Sequence, residues 1–425
     1  MPTCLGCSCT RPDAVAPGSA VLLATRVSHT LTALRDLLAE RGLPVLDLAP
    51  GLVRVCTHDP AELLSAARRR LSSVEAAEVR AVVLAGEEGD ALLGLALSAP
   101  TLSQLGARAA NADLVPLFAH ERTAFRSEYQ PIVSLTGEGD YPVIGHEALL
   151  RATGPDGPLM PDAMFAAAEE AGWLHVLDRV GRTTALRGAA GWLGDDLLFV
   201  NFLPTTIYRP QVCLRTTELA AEQAGLRLDQ LVFEVTESER VTDLDHLADV
   251  FAYYRERGCR VALDDLGAGY SSLNMLVRLQ PDIVKLDKEI VQRLPDPASA
   301  AVIAAVVGIT HSYGGLVLAE CVETAEQAQV SRDLGVDLGQ GWYFGRPVRR
   351  TATDEGRAAR PVRVVVPASQ RDALDHHGDD AAVALATARD RRHRTSTASR
   401  HLTASRSPTA SRSPTVSRAS AASTP

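Results

Sequence analysis

Residues 260–287 read RVALDDLGAGYSSLNMLVRLQPDIVKLD. Two short apolar strands, RVALDDL and DIVKLD, are separated by a turn through Gly267 and Gly269 and a further intervening segment. Each strand ends in charge: Asp264 and Asp265 side by side in the first, Lys285 and Asp287 in the second. Crowding two like charges costs free energy unless a positive group compensates them. Two questions follow: which fold repeats this unit, and what offsets the charge.

The unit does repeat. Between residues 127 and 349 the candidate strands are YQPIVSL, YPVIGHEALL, LLFVNFL, LVFEVTES, RVALDDL, DIVKLD, LVLAECVE and the segment around GQGWYFG. Most of the intervals carry helical patterns, among them PDAMFAAAEEAG, DLDHLADVFAYYRERG and ASAAVIAAVVGITHSYG. Strands alternating with helices imply an α/β fold with a parallel sheet, and eight units fit a TIM-like (β/α)8 barrel. The first connection, SLTGEGDYP, is hairpin-like and leaves no room for a helix. The first strand is therefore expected to run antiparallel to its neighbour.

Four segments are expected. Residues 1–20 form a Cys-, Pro- and Gly-rich irregular start, and residues 21–118 a small α/β regulatory domain. In the latter, SHTLTALRDLLAERG has helical spacing, PVLDLAPGLVRVC reads as a hairpin, DPAELLSAARRRL as a capped helix and EVRAVVLA as a strand. The stretch from Thr101 to Arg126 suits a helical connector into the barrel domain, residues 119–349. Residues 350–425 read as a low-complexity, mostly disordered tail in which TASRSP occurs twice in tandem, although RPVRVVVPA is compatible with one more strand.

A chain with 46% hydrophobic and 22% charged residues is ordinary for a soluble globular protein. No apolar run reaches the length of a membrane span and no signal peptide is evident, so a cytoplasmic location without membrane attachment is expected. Residues 391–425 hold seven Arg and no acid; removing those charges from the total of −9 leaves −16 for the rest. So acidic a body does not suit long nucleic acids. Of the 43 basic residues only Lys285 and Lys288 are lysine. Lys285 stands in an apolar run, where a compact ammonium differs most from a guanidinium fork. Seven scattered cysteines, an odd number, argue against a disulfide framework.

In such a barrel the residues at the carboxyl ends of the strands share one face. Those positions hold Glu147, Asn201, Glu234 with Glu237, Asp264 with Asp265, Lys285 with Asp287, Glu320 with Glu323, and Gln340. A lone acid at a strand end is usually a helix cap or a solvated charge. Carboxylates converging from five strands would repel one another severely, and divalent cations are the simplest compensation. Oxygen donors without converging His or Cys favour Mg²⁺, Mn²⁺ or Ca²⁺ over zinc. Adjacent aspartates suit a two-metal site, which points to metal-assisted phosphoester hydrolysis.

The ordered motifs EALLR at 147–151, VN at 200–201, FEVTES at 233–238, DDLGAGYSSL at 264–273, DIVKLD at 282–287, AECVET at 319–324 and QGWYFGRP at 340–347 resemble those of EAL-domain cyclic di-GMP phosphodiesterases. The resemblance implies hydrolysis of cyclic di-GMP to linear pGpG with two Mg²⁺ or Mn²⁺ ions. It assigns Glu147, Asn201, Glu234 and Asp264 to the first ion, with Asp264 bridging to a second held also by Asp265 and Glu320. Lys285 would orient or polarise the attacking water, and Glu237 would brace the loop after its strand. Gln130, Arg151 and Gln340 would contact substrate, with Glu323 and Asp287 behind the ligands. Homodimerisation is the usual state of the family. Leu266 and Ala268 replace the family's usual Phe and Thr, and Cys321 replaces a usual Gly; none of these changes removes a ligand.

The same resemblance leaves a rival of another class, a catalytically silent cyclic di-GMP receptor that signals through a partner. A general nuclease would need a basic surface that the composition does not offer. The start CLGCSC resembles the short Cys-x-x-Cys segments of one subgroup. Cys4, Cys7 and Cys9 are compatible with Zn²⁺ binding completed by Cys56 or His58, with a redox pair, or with an unliganded terminus. His146, Trp173, Trp192 and Trp342 are read as packing residues, and Cys213 and Cys259 as semi-buried thiols.

Overall fold

A computed structural model describes residues 15, 18, 20–84, 99–136, 140–207, 210–236, 244–266 and 272–351. The cysteines at 4, 7 and 9, Glu237, Ala268 and the tail from 352 lie outside them. The amino-terminal sheet contains β1 (Ala20–Ala24), β2 (Val45–Ala49), β3 (Leu52–Cys56) and β4 (Arg80–Leu84), in the order β2-β3-β1-β4. All its pairings are antiparallel. The expected helix forms over Ser28–Glu40 and the expected hairpin over β2 and β3. The capped helix runs Pro60–Arg70, where the Asp59 carboxylate accepts from the Glu62 N–H at 2.9 Å and Pro60 occupies a first-turn position that needs no donor.

β1 was not expected. Its five residues AVLLA are an unbroken apolar run without alternation, because both faces are covered. Val21 and Leu23 join one apolar cluster with the helices, while Ala20 and Leu22 meet Leu84 on the other side. A short buried central strand carries little periodic signal.

The barrel is formed by β5 (Phe125–Ser134), β6 (Val143–Gly154), β8 (Leu197–Asn201), β9 (Leu231–Thr236), β10 (Arg260–Leu266), β11 (Ile283–Leu286), β12 (Leu316–Ala319) and β13 (Leu338–Gln340); β7 (Gly157–Leu159) extends β6 as a short hairpin. β6 and β8 to β13 pair in parallel, and β5 closes the ring antiparallel to both β6 and β13. The antiparallel first strand follows from the short connection, which cannot carry a crossover. Two expected strands are shorter than read. LVLAECVE leaves the sheet after Ala319, and GQGWYFG after Gln340. Gly341 makes the second exit possible: at φ +155° a Cβ there would lie 2.1 Å from the Val322 carbonyl oxygen.

The helix Leu174–Ala189 packs across β5, β6 and β8 and carries a buried ion pair, with Arg182 Nη2 at 2.7 Å from Asp178 Oδ2. Asp178 also accepts from the Leu203 N–H at 2.8 Å and the Thr206 hydroxyl at 2.9 Å, tying down the loop that follows β8. Burial pushes this carboxyl up, against the pull of Arg182 and the two donors. Asp178→Ala strands a buried guanidinium and frees the loop. Loss of about 3–5 kcal/mol in unfolding free energy is expected from chemical denaturation, and a loss below about 1 kcal/mol would show that the pair is not structural.

Candidate active site

Neighbouring side chains along a strand point to opposite faces, so Asp264 and Asp265 should diverge. They do not. The pairing of β10 with β11 shifts register between Leu263 and Leu266, and Asp265 takes a left-handed backbone at φ +56°, a conformation Asp tolerates better than most residues. Carboxylate oxygens of Asp264, Asp265 and Glu320 consequently lie within 4.8 Å of one another. The Asp264 Oδ1 accepts the Asp265 N–H at 2.9 Å, which fixes the turn.

Lys285, on β11, projects into this group with no exposed surface. Its Nζ lies 2.7 Å from Glu320 Oε1, 3.0 Å from Asp264 Oδ2, 3.1 Å from Glu234 Oε1 and 3.9 Å from Glu147 Oε2. Sheet register explains the convergence. Glu147 stands opposite Phe199, Asn201 opposite Glu234, and Asp264 opposite Thr236, so successive parallel strands bring their polar residues to one end. Glu147 sits within β6 rather than at its end, because β6 runs on to Gly154. It is held at both oxygens: Asn201 Nδ2 donates to Oε1 at 2.9 Å and Gln340 Nε2 to Oε2 at 2.6 Å. Gln340 Nε2 also reaches Gln130 Oε1 at 3.2 Å, and Gln130 Nε2 donates to the Gly345 carbonyl at 3.1 Å.

Burial and mutual repulsion dominate the electrostatics. Burial pushes the Glu320 carboxyl up to about 8, with Asp264 adding to the rise. It pushes Asp265 up to about 6, again with Asp264 next in weight. Asp264 is raised mainly by burial, and Glu234 far more so, both despite Lys285. Glu147 goes the other way: burial is outweighed by Lys285, Gln340 and Asn201 together. The surrounding carboxylates hold Lys285 well above its ordinary value in spite of desolvation. Glu234 is wholly buried, with Lys285 against Oε1 as its ion-pair partner and no hydrogen-bond donor at Oε2. A buried carboxylate whose one close polar partner is Lys285, beside three converging acids, fits a divalent cation, and an all-oxygen donor set suits Mg²⁺ or Mn²⁺.

Other expected residues lie around the cluster: Asp287 is close enough to Asp265 to help raise its carboxyl, and Arg151 helps to lower that of Glu147. Asp287 caps the helix Lys288–Gln292, accepting from the Glu289 N–H at 2.7 Å. Glu323 is exposed and accepts from Gln292 Nε2 at 3.3 Å. Arg151 forms an ion pair with Glu128 at 2.9 Å, four residues along β6 from Glu147; Glu128 drew no attention in the sequence. Cys56 and His58 are exposed, and among the described residues the only cluster suited to a metal is Asp264, Asp265 and Glu320. His146 packs edge-on against Trp192 at 5.1 Å, and Trp173 is buried, both as read. Trp342 is not a packing residue: it is 57% exposed, with Arg346 stacked on its ring at 4.2 Å.

Residues 115–347 match the EAL domain family. Among curated proteins, the cyclic di-GMP phosphodiesterase RocR of Pseudomonas aeruginosa is 31% identical over 231 residues, 53% of this chain and 57% of that protein. The cyclic di-GMP phosphodiesterase PdeF of Escherichia coli is 28% identical over 240 residues, 54% of this chain and 30% of that protein. The chain thus spans only part of these relatives. Of solved structures, the EAL enzyme Bd1971 in its cAMP-bound form shares the fold at a TM-score of 0.51 and 21% identity, covering 81% of this chain and 95% of that one. The FimX EAL domain of Xanthomonas citri in complex with c-diGMP shares it at 0.50 and 24%, covering 57% and 98%.

Cys321, next to Glu320, also takes a left-handed backbone, at φ +50°. A side chain with a Cβ costs about 1–2 kcal/mol there, which is the physical reason glycine suits the position. Burial pushes its thiol up to about 11, so it adds no charge to the cluster. Cys321→Gly should raise the unfolding free energy by about 1 kcal/mol in denaturant titration. An unchanged or lower value would mean that the thiol's packing outweighs the strain.

Proposed function

This chain belongs to the EAL-domain family, and on that footing we propose that it hydrolyses cyclic di-GMP to linear pGpG. The observation that carries the proposal is the burial of Lys285 among Glu147, Glu234, Asp264 and Glu320 at one end of the barrel. Water adds to one phosphorus, that phosphorus loses its bond to a ribose 3′ oxygen, and the leaving oxygen takes up the proton.

Glu147, Asn201, Glu234, Asp264, Asp265 and Glu320 are the residues we assign to two divalent cations. When bound, such ions lower the pKa of water and draw charge from the phosphoryl oxygens. The chain's own groups do the rest. Lys285 stays protonated among the acids and presents its ammonium to the reacting oxygens, where charge develops. Asn201 and Gln340 clamp Glu147 at both oxygens and keep it ionised and oriented. Gln130, linked to Gln340 and to the Gly345 carbonyl, stands on the adjacent rim as a substrate contact. The Arg151 fork suits a phosphate oxygen, in exchange for part of its pairing with Glu128. The cleft of about 330 Å³ lined by Arg151, Asn201 and Phe165 gives a nucleotide base a partly apolar place. We assign the amino-terminal sheet a regulatory role, and the tail none. Among the described residues no helix is long and apolar enough to cross a membrane.

The test is turnover of cyclic di-GMP by the full chain with Mn²⁺. A single linear product is expected, with kcat at least about 100-fold lower for Lys285→Ala and for Glu234→Gln. Tight nucleotide binding without product at high enzyme and metal concentration would replace this reading by that of a receptor.

A further inference from the structure

Alternation along β5 sends Gln130 toward the carboxylate cluster and Ser127 and Tyr129 to the opposite, outer face, where the Tyr129 hydroxyl donates to the Ala185 carbonyl at 2.8 Å. Against that outer face lies a cavity of about 300 Å³ lined by Arg122, Arg126, Arg187, Arg349 and Arg350. Three segments meet there. The segment before β5 and the start of that strand supply Arg122 and Arg126, the end of the helix Leu174–Ala189 supplies Arg187, and the chain leaving the barrel supplies Arg349 and Arg350. The last segment is fastened to β5 by paired backbone hydrogen bonds between Tyr129 and Val348, at 2.8 and 3.1 Å.

Among the described residues no acid lines the cavity, and Arg350 has partners beyond it in Asp196 and the Trp192 ring. The two nearby glutamates are shared out: Glu121 lies 3.1 Å from Arg179 and 3.7 Å from Arg187, and Glu128 lies 2.9 Å from Arg151 and 3.9 Å from Arg126. Arg122 and Arg349 have no ion-pair partner among the described residues. Ser127, only 6% exposed, also lines the cavity, and its side chain interacts with the Tyr129 hydroxyl. Five guanidinium groups brought around one cavity from three segments make it favourable to an anion. Here the charge is opposite to that of the barrel mouth, and so is the implied ligand.

We propose that this cavity binds a small phosphate-bearing anion with two or more negative charges, at a site separate from the carboxylate cluster. Planar guanidinium forks match phosphate oxygens two at a time, and several forks from different segments suit a diphosphate better than a monovalent ion. The volume is at the lower end for a small-molecule site and excludes a folded polymer. Phe125, the aromatic residue in the lining, is buried and offers no stacking face, so recognition rests on the phosphates.

Calorimetric titration of the full chain with pyrophosphate, and separately with guanosine diphosphate, tests this at fixed ionic strength. EDTA is present so that no divalent cation draws phosphate to the carboxylates. Saturable pyrophosphate binding is expected, at least about tenfold weaker in the Arg122→Ala, Arg349→Ala double variant, since each charge-assisted hydrogen bond lost costs that much. Both residues are exposed, so the variant keeps the barrel core. Tighter binding of the diphosphate ester identifies a nucleotide as the source of the phosphate, and equal or weaker binding an inorganic anion. Absence of saturable binding, or equal binding by wild type and double variant, overturns the proposal.

Discussion

Lys285 places an ammonium with no exposed surface within 3.9 Å of four carboxylates, three from strands and one, Glu320, from the residue after β12. Desolvating a charge costs several kcal/mol per ion, and only close, well-oriented partners repay it. Four ionised carboxylates against one ammonium would still leave a formal −3. The chain relieves the excess in two ways. Asn201 and Gln340 donate to Glu147, and burial with repulsion drives Glu234, Asp264 and Glu320 toward their protonated forms. Cations would take the place of those protons, so metal binding and proton release are linked. The barrel's geometry serves this cluster: parallel register brings one polar residue per strand to the same end, and the shift in β10 adds a second.

Much of this was legible in the sequence because the barrel repeats one unit. Alternating apolar strands and helical intervals located seven parallel strands, and the short SLTGEGDYP connection foretold the antiparallel β5. The scarcity of lysine singled out Lys285 before any geometry was known. What periodicity could not supply was local backbone detail. Two adjacent aspartates do not announce a register shift or a left-handed residue, yet both are needed for their carboxylates to meet. Strand alternation alone would have sent Asp265 away from the site.

The remaining gaps share a cause: polar groups buried by long-range packing leave no periodic trace. Asp178 and Arg182 are spaced like any pair on a helix face, and only the loop folded over them turns the pair into an anchor. Asp287 does stand close enough to Asp265 to raise its carboxyl, but the helix cap that its carboxylate also forms is a local detail that strand and helix periodicity does not mark. Trp342 illustrates the reverse error. An aromatic residue in an apolar motif reads as core, whereas the glycine before it turns the chain outward and leaves the ring exposed under Arg346. The arginines of the outer cavity come from three segments far apart in sequence, so no local motif marks them.

The central claim is that the barrel mouth is a site for divalent cations, organised around Lys285 and completed by Asp264. Calorimetric titration of the metal-free full chain with Mn²⁺, without nucleotide, addresses it directly. Saturable binding with proton release is predicted for the wild type, and its loss for Asp264→Asn, whose fold should be retained because the substituted amide is nearly isosteric. Absence of saturable Mn²⁺ binding by the wild type, or undiminished binding by Asp264→Asn, would contradict it.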